Sequence, residues 1–283
     1  MSKRLPEWLR PAAPKARQLA TLGRRLAESG VHTVCQSARC PNIGECFGSG
    51  NATFMIMGNA CTRNCRFCAV DHAAPMDLDA AEPQRIAEAA RALSLRHVVI
   101  TSVTRDDLAD GGAGHFVATV RAVKQLLREV SVEVLVPDFK GDPGALRTVL
   151  EAAPYVLGHN VETVPRLYPQ VRPQADYARS VEVLRRAGEI TPQIVTKSGF
   201  MVGLGETEKE ALDLLRDLRE AGVSAVTIGQ YLQPTRDHLE VVDYVRPETF
   251  RRYEAEAKGM GFKHVLSGPL VRSSYHALEL VGA

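Results

Sequence analysis

The sequence has no apolar run of about 18 residues, the length a membrane-crossing helix needs, and so offers no candidate span. Its start, Met1-Ser-Lys-Arg-Leu-Pro-Glu-Trp-Leu-Arg10, is broken by charges and Pro6 and lacks the apolar core of a signal peptide. Neither sign of charge dominates. Thirty-five Lys and Arg stand against 33 Asp and Glu, a formal charge of +2, which supports neither a nucleic-acid binder nor a polybasic membrane anchor. The expectation is a cytoplasmic protein with no nucleic-acid and no membrane partner. Cysteine is scarce as well, with six in 283 residues, all between Cys35 and Cys68. Disulfide frameworks belong to small secreted domains, so in a reducing compartment this grouping reads as metal ligation.

What is present is a chain 45% hydrophobic, enough for a substantial core in one large α/β domain or two small ones. Residues 1–50 read as an extension, Pro-, Arg- and Ala-rich at first, then a short helix near residues 15–29, then the first three cysteines. From Thr53 onward strands alternate with helices. Strand-length apolar or β-branched runs occur at Thr53–Met57, Arg96–Val103, Ser131–Val136, Tyr155–Asn160, Gln193–Ser198 and Ala225–Gln230. Between them Ile86, Ala90 and Leu93 recur at helical spacing, as do Phe116, Val120, Val123 and Leu127, and then Leu212, Leu215 and Leu218. These stripes are read as core. The last follows an acidic start at Glu206–Glu210, which suits a helix N-terminus. Six β/α repeats with right-handed crossovers predict an α/β fold, an open, partial (β/α)6 TIM-type barrel, with a doubly wound sheet as the alternative. Barrel chemistry sits at the C-terminal strand ends, and the cysteine group starting at Cys61 directly follows the first strand.

Cys61-Thr-Arg-Asn-Cys65-Arg-Phe-Cys68 is a CxxxCxxC motif. Three thiolates on one tight loop can each hold one iron of a [4Fe–4S] cube and leave the fourth iron open. Structural zinc is the competing reading, with His72 as a possible fourth ligand, but zinc closes four-ligand sites and usually takes CxxC pairs. In the radical S-adenosylmethionine (SAM) superfamily, which this motif resembles, the amine and carboxylate of SAM chelate the open iron. Electron transfer into the sulfonium then gives methionine and a 5′-deoxyadenosyl radical, and Phe67 stands where that superfamily packs the adenine. The earlier group, Cys35-Gln-Ser-Ala-Arg-Cys40-Pro-Asn-Ile-Gly-Glu-Cys46, also supplies three thiolates. No cysteine follows Cys68, so a completing ligand is an oxygen or nitrogen donor, or there is none.

The CxxxxCPNxxxC and CTRxCxFC groups and the C-terminal Arg272-Ser-Ser-Tyr275 together resemble the lipoyl synthase family. The resemblance runs through Thr101-Ser-Val-Thr-Arg-Asp-Asp107, Asp110-Gly-Gly112, His159-Asn-Val-Glu-Thr163, Thr196-Lys-Ser-Gly199, Gly203-Leu-Gly-Glu206 and Thr227-Ile-Gly-Gln-Tyr-Leu-Gln-Pro234, covering roughly residues 31–277. Departures are mild: Phe47 where a Trp is common and Ala109 where Pro is frequent. The resemblance implies two [4Fe–4S] clusters and SAM, with the auxiliary cluster on Cys35, Cys40, Cys46 and a serine of the tail. That role is carried onto Ser274, with Ser273 as its close competitor. The implied organisation is an extension (1–50) carrying the auxiliary cysteines, a radical SAM partial barrel (51–262) and a C-terminal segment (263–283) that closes over it.

The implied activity is that of a sulfurtransferase: sulfur insertion at C6 and C8 of a protein-bound N6-octanoyl-lysine, the auxiliary cluster donating sulfide. Those carbons carry no acidic proton and no leaving group, so neither acid–base nor nucleophilic catalysis activates them, whereas an alkyl radical does. One SAM is spent per C–S bond. Implied partners are octanoylated lipoyl-carrier domains, either the E2 subunit of a 2-oxoacid dehydrogenase or the glycine cleavage H protein, and an electron donor such as flavodoxin or ferredoxin. Polar residues at strand ends are candidates for holding SAM: Thr101 and Ser102 for its amine, Asn160 and Glu162 for its ribose or amine, and Arg172 or Lys197 for its carboxylate. Asp106, Asp107 and Asp110 read equally well as turn chemistry. Gly203-Leu-Gly-Glu206 lacks the spacing of a phosphate loop and is read as close backbone approach to SAM.

Overall fold

The structure is a computed structural model that describes residues 5–10, 30–37, 40, 42–43, 52–275 and 277. The helix expected near residues 15–29 and the ligand candidate Cys46 lie outside these residues.

One eight-stranded sheet carries the fold, its strands adjacent in chain order from β1 (His32–Thr33) through β2 (Thr53–Ile56), β3 (His97–Ser102), β4 (Ser131–Leu135), β5 (Val156–Gly158), β6 (Val195–Val202) and β7 (Ala225–Gln230) to β8 (His264–Gly268). All neighbours from β2 to β8 are parallel, and β1 alone runs antiparallel, pairing His32 with Met55 and Thr33 with Phe54. Among the described residues no pairing returns from β8 to β1, so the barrel is open. Six crossover helices separate the parallel strands: α1 (Glu82–Ala92), α2 (Ala113–Leu126), α3 (Pro143–Glu151), α4 (Tyr177–Ile190), α5 (Glu208–Glu220) and α6 (Pro247–Gly259). The six expected β/α units are therefore present. β1 and β8 extend the sheet beyond them, so β8 adds a strand within the segment 263–283.

The helices start where their sequences supply caps. Thr207 and Glu210 form a reciprocal capping box at α5, while Asp142 and Asp176 accept from Gly144 N and Arg179 N at the starts of α3 and α4. Leu214, Leu215 and Leu218 of α5 are fully buried, each contributing about 1.5–3 kcal/mol of apolar burial. Leu212, expected in the stripe, is only half-buried, and Leu214 takes the core position instead.

Strand residues alternate between the helix layer and the barrel interior. Ile100, Val134, Leu157, Val202 and Ile228 face the helices, whereas Thr53, Met55, Thr101, Leu135, Gly199, Met201, Thr227 and Gly229 line the interior. β6 runs four residues past its expected end at Ser198, because Gly199–Val202 pair with Thr227–Gln230 of β7. β5 is shorter than expected, since only Val156–Gly158 bond to both neighbours.

Lower in the interior, Lys197 Nζ lies 2.9 Å from Glu133 Oε1, and His97 Nε2 lies 3.4 Å from Glu133 Oε2, with all three side chains buried. Burial alone would raise the Glu133 carboxyl, but the Lys197 charge and the His97 contact hold it below its ordinary range. Lys197 is thus committed to Glu133 and does not line the cavity. The alternative in which it receives a SAM carboxylate is set aside.

Candidate active site

A cavity of about 490 Å³ opens at the C-terminal ends of the strands. Cys61, Cys65 and Cys68 line it from the loop after β2, and Cys35 and Cys40 line it from the N-terminal side. Arg272, Ser273 and Ser274 reach it from the tail. Phe67, Thr101, Ser102, Asn160, Glu162 and Arg172 line the same space. Apart from Lys197, the described residues read from the sequence as cluster or SAM ligands therefore border one cavity.

The cysteine loop is held from several sides. Cys61 N donates to Asp71 O at 2.8 Å, and Cys61 Sγ accepts from Thr104 N at 3.3 Å and Arg63 N at 3.4 Å. Arg63, between the first two cysteines, donates through Nε to Asp106 at 2.7 Å and through Nη2 to Asp138 at 2.6 Å, tying the loop to the ends of β3 and β4. On the far side the segment after β7 straps over the loop. Leu239 N donates to Arg66 O at 3.2 Å, and His238 Nε2 donates to Cys68 O at 2.9 Å while Thr235 Oγ1 donates a hydrogen bond to His238 Nδ1.

Burial pushes the Cys68 thiol up to about 12 and the Cys35 thiol up to about 11, with neighbouring cysteines adding to both shifts. Cys65 is also raised by burial, although the Arg172 charge offsets part of it. Buried thiols of this kind stay protonated until a metal takes the proton's place. Among the described residues no group of three or more His, Cys, Asp or Glu is arranged to hold a single metal ion. A cube, which spreads its iron corners, asks instead for thiolates set apart around a space.

The polar residues around the cavity have their own order. Thr101 Oγ1 donates to Leu135 O at 3.0 Å. Arg172 Nη1 donates to Asn160 O at 2.9 Å and to Tyr168 Oη at 3.1 Å, which aims the guanidinium past the end of β5. Asn160 Nδ2 donates to Glu162 Oε1 at 3.1 Å, and burial holds the Glu162 carboxyl above its ordinary range despite Arg172. Glu162 has φ +65°, a left-handed backbone that is costly for a residue with a Cβ and typical of sites under functional constraint.

Three lining residues, Ser102, His159 and Arg172, each keep a buried polar atom without a partner in the chain: Oγ, Nε2 and Nε respectively. Buried polar atoms are almost always paired, so these three call for polar groups from a ligand. A zwitterion carrying ribose hydroxyls has such groups, and the donor set fits SAM beside an iron–sulfur cube.

The sequence reading did not single out Arg63, His159 or His238. His159 donates through Nδ1 to Val136 O at 2.8 Å, and burial followed by the Arg172 charge pushes it down to about 4, so Nε2 is a bare acceptor. Its place in the quoted His159-Asn-Val-Glu-Thr163 motif was the available signal. Asp106 belongs to the Arg63 network, whereas Asp107 pairs locally with Arg105 and Asp110 accepts from Gly112 N and Gly114 N as turn chemistry. Gly203 and Leu204 donate their amides to Glu206, so that turn is closed on its own carboxylate. His32 and His72 are both exposed.

The tail and the early cysteines meet. Cys35 and Ser274 line one small hollow together with Thr53 and His97, and Asn42 Nδ2 donates to Leu270 O. Gly229 makes the crossing possible, since a Cβ there would lie 2.1 Å from Val271 O.

The profile of the Radical SAM superfamily matches residues 55–218. A lipoyl synthase from Caldanaerobacter subterraneus subsp. tengcongensis is 59% identical over 277 residues, covering 98% of this chain and 97% of that protein. Lipoyl synthases from Rubrobacter xylanophilus and Thiobacillus denitrificans are 56% and 52% identical, covering 97% and 99% of this chain and 85% and 91% of theirs. Among solved structures, methylornithine synthase aligns with a TM-score of 0.57 at 14% identity, over 92% of this chain and 80% of its own. A maturase of the [FeFe]-hydrogenase aligns at 0.59 and 14% identity, over 76% and 55%. Likeness at that identity speaks for the fold alone.

Proposed function

The chain belongs to the lipoyl synthase family of the radical SAM superfamily, and from that premise we propose that its two cysteine groups hold two clusters with separate tasks around one cavity. Membership of the superfamily implies one [4Fe–4S] cluster and SAM. In this proposal Cys61, Cys65 and Cys68 hold that cluster, and Cys35, Cys40, Cys46 and Ser274 hold an auxiliary one. When bound, the first centre supplies the electron that splits SAM to a 5′-deoxyadenosyl radical, and the second supplies sulfide for C6 and C8 of an octanoyl-lysine.

The chain's own residues orient and enclose. Arg63 and His238 fix the loop of Cys61–Cys68 from opposite sides. Arg172, with its free Nε, suits the SAM carboxylate, and Ser102, Asn160 and Glu162 suit its amine and hydroxyls. Phe67 offers a ring for the adenine. Met55, Leu135 and Met201 give the interior an apolar wall for an alkyl chain. A serinate at one corner of the auxiliary centre is a harder donor than thiolate, so that corner differs in kind from the other three.

The observation that carries the proposal is that Cys35 and Ser274 share a hollow which borders the cavity of Cys61, Cys65 and Cys68. The division into an extension (1–50), a barrel (51–262) and a closing segment (263–283) belongs to the same proposal. So does an octanoylated carrier domain as substrate, with a small redox protein as electron donor. Anaerobic protein incubated with reductant, SAM and an octanoyl-lysine peptide is expected to yield a peptide that mass spectrometry shows to have gained two sulfurs. Deoxyadenosine without any sulfur gain, at full iron content, would sink it.

A further inference from the structure

We infer that Ser273 is a positioning residue, a latch through which the tail sets the SAM-facing groups at the end of β5. The inference rests on the two-centre reading just proposed. Arg272–Tyr275 is a turn closed by Tyr275 N donating to Arg272 O at 2.9 Å. Its two central residues are both serines, and their hydroxyls serve different neighbours. Ser274 lines the hollow of Cys35, while Ser273 Oγ donates to Asn160 Oδ1 at 3.0 Å across the cavity mouth.

That bond engages the accepting end of Asn160, whose donating end the Glu162 carboxylate selects. A side-chain amide has an accepting end and a donating end, so a hydroxyl on Oδ1 leaves Nδ2 to point at Glu162 Oε1, 3.1 Å away. Glu162 cannot turn aside. Its strained backbone is pinned to β6 by Glu162 N donating to Gly199 O and by Met201 N donating to Glu162 O. Ser273, Asn160 and Glu162 thus form a chain of side-chain hydrogen bonds from the tail to the carboxylate that Arg172 faces. The glycines keep the route clear: a Cβ on Gly199 would lie 3.1 Å from Asn160 Oδ1, and one on Gly229 would strike Val271 O. Closure of the tail, which brings Ser274 to the early thiols, and alignment of Asn160 and Glu162 are one event.

The test uses the full chain with its clusters, comparing Ser273→Ala, Ser273→Thr and Ser274→Ala. Ser273→Ala is expected to weaken equilibrium SAM binding roughly two- to tenfold, the worth of one hydrogen bond. It should also raise the deoxyadenosine formed per sulfur inserted, while iron content and the Mössbauer spectrum stay as in the parent. Ser273→Thr, which keeps the hydroxyl, should restore SAM binding. Unchanged SAM affinity in Ser273→Ala would overturn the latch, and so would a changed auxiliary-cluster spectrum, because Ser273 would then be the ligand. If Ser274→Ala leaves the spectrum untouched while Ser273→Ala still loses SAM affinity, the ligand assignment fails and the latch is upheld.

Discussion

Arg63 Nη2 stands 2.6 Å from Asp138 Oδ1, with both side chains almost wholly buried, so the residue midway between Cys61 and Cys65 is anchored to the end of β4. The same guanidinium reaches Asp106, whose side chain is 24% exposed. The two carboxylates should therefore differ in weight. Asp138→Ala leaves a buried cation short of its partner and should cost about 3–5 kcal/mol in urea unfolding. Asp106→Ala should cost about 1 kcal/mol or less. Equal losses would show that burial of the Asp138 pair carries no special weight.

The same pair sets an acid limb. Burial by itself would raise the Asp138 carboxyl, but the hydrogen bonds and charge of Arg63 hold it down at about 2, below its ordinary 3.8. A carboxyl depressed on folding stabilises the fold above its unfolded pKa, and that contribution drains away as pH falls from about 4 towards 2, amounting to about 2 kcal/mol. Unfolding followed across this window should show the loss, and Asp138→Asn should flatten it. An unchanged slope in the variant would assign the acid limb to other groups.

Substitution should separate the two cysteine groups. Replacing Cys61, Cys65 or Cys68 with Ala is expected to abolish deoxyadenosine formation. Replacing Cys35, Cys40 or Cys46 should leave it measurable while ending sulfur insertion, with iron falling from about eight per chain to about four. Parallel loss of both activities in all six variants, with folding intact, would remove the division of labour.

Gly229→Ala tests the crossing of the tail. The new Cβ would meet the carbonyl oxygen of Val271 at 2.1 Å, and a backbone oxygen cannot swing away as a side-chain tip can. The variant should still cleave SAM at saturating SAM while binding it more weakly, lose sulfur insertion and expose the C-terminal segment to protease. A tail as protected as in the parent chain would mean that the segment passes by another route.

Much of this was legible in the sequence, because hydrophobic period and cysteine spacing are local. The runs at residues 97–102, 131–135 and 225–230 are β-branched and bounded by polar turns, and they form strands where expected. β8 escaped notice because His264-Val-Leu-Ser-Gly268 has few apolar residues, and its strand character comes from pairing with β7. Lys197 looked available for an anion because its partner Glu133 is 64 residues earlier in the chain. Arg63 was hidden for a similar reason, since its carboxylates are 43 and 75 residues away. Side-chain pairings made across a barrel leave no periodic trace.

Among the described residues the antiparallel strand β1 pairs with the sheet at two positions, His32 with Met55 and Thr33 with Phe54, and it sits outside the run of parallel strands. In the proposed reading the segment just after it carries the part of the machine that is spent at each turnover. Such a part has to be serviceable. Parting those pairs and the core contacts of Val31 and Cys35 would leave every strand that supports Cys61, Cys65 and Cys68 joined to its parallel neighbours, so in this reading the sulfur store is refilled while the engine beside it stays assembled.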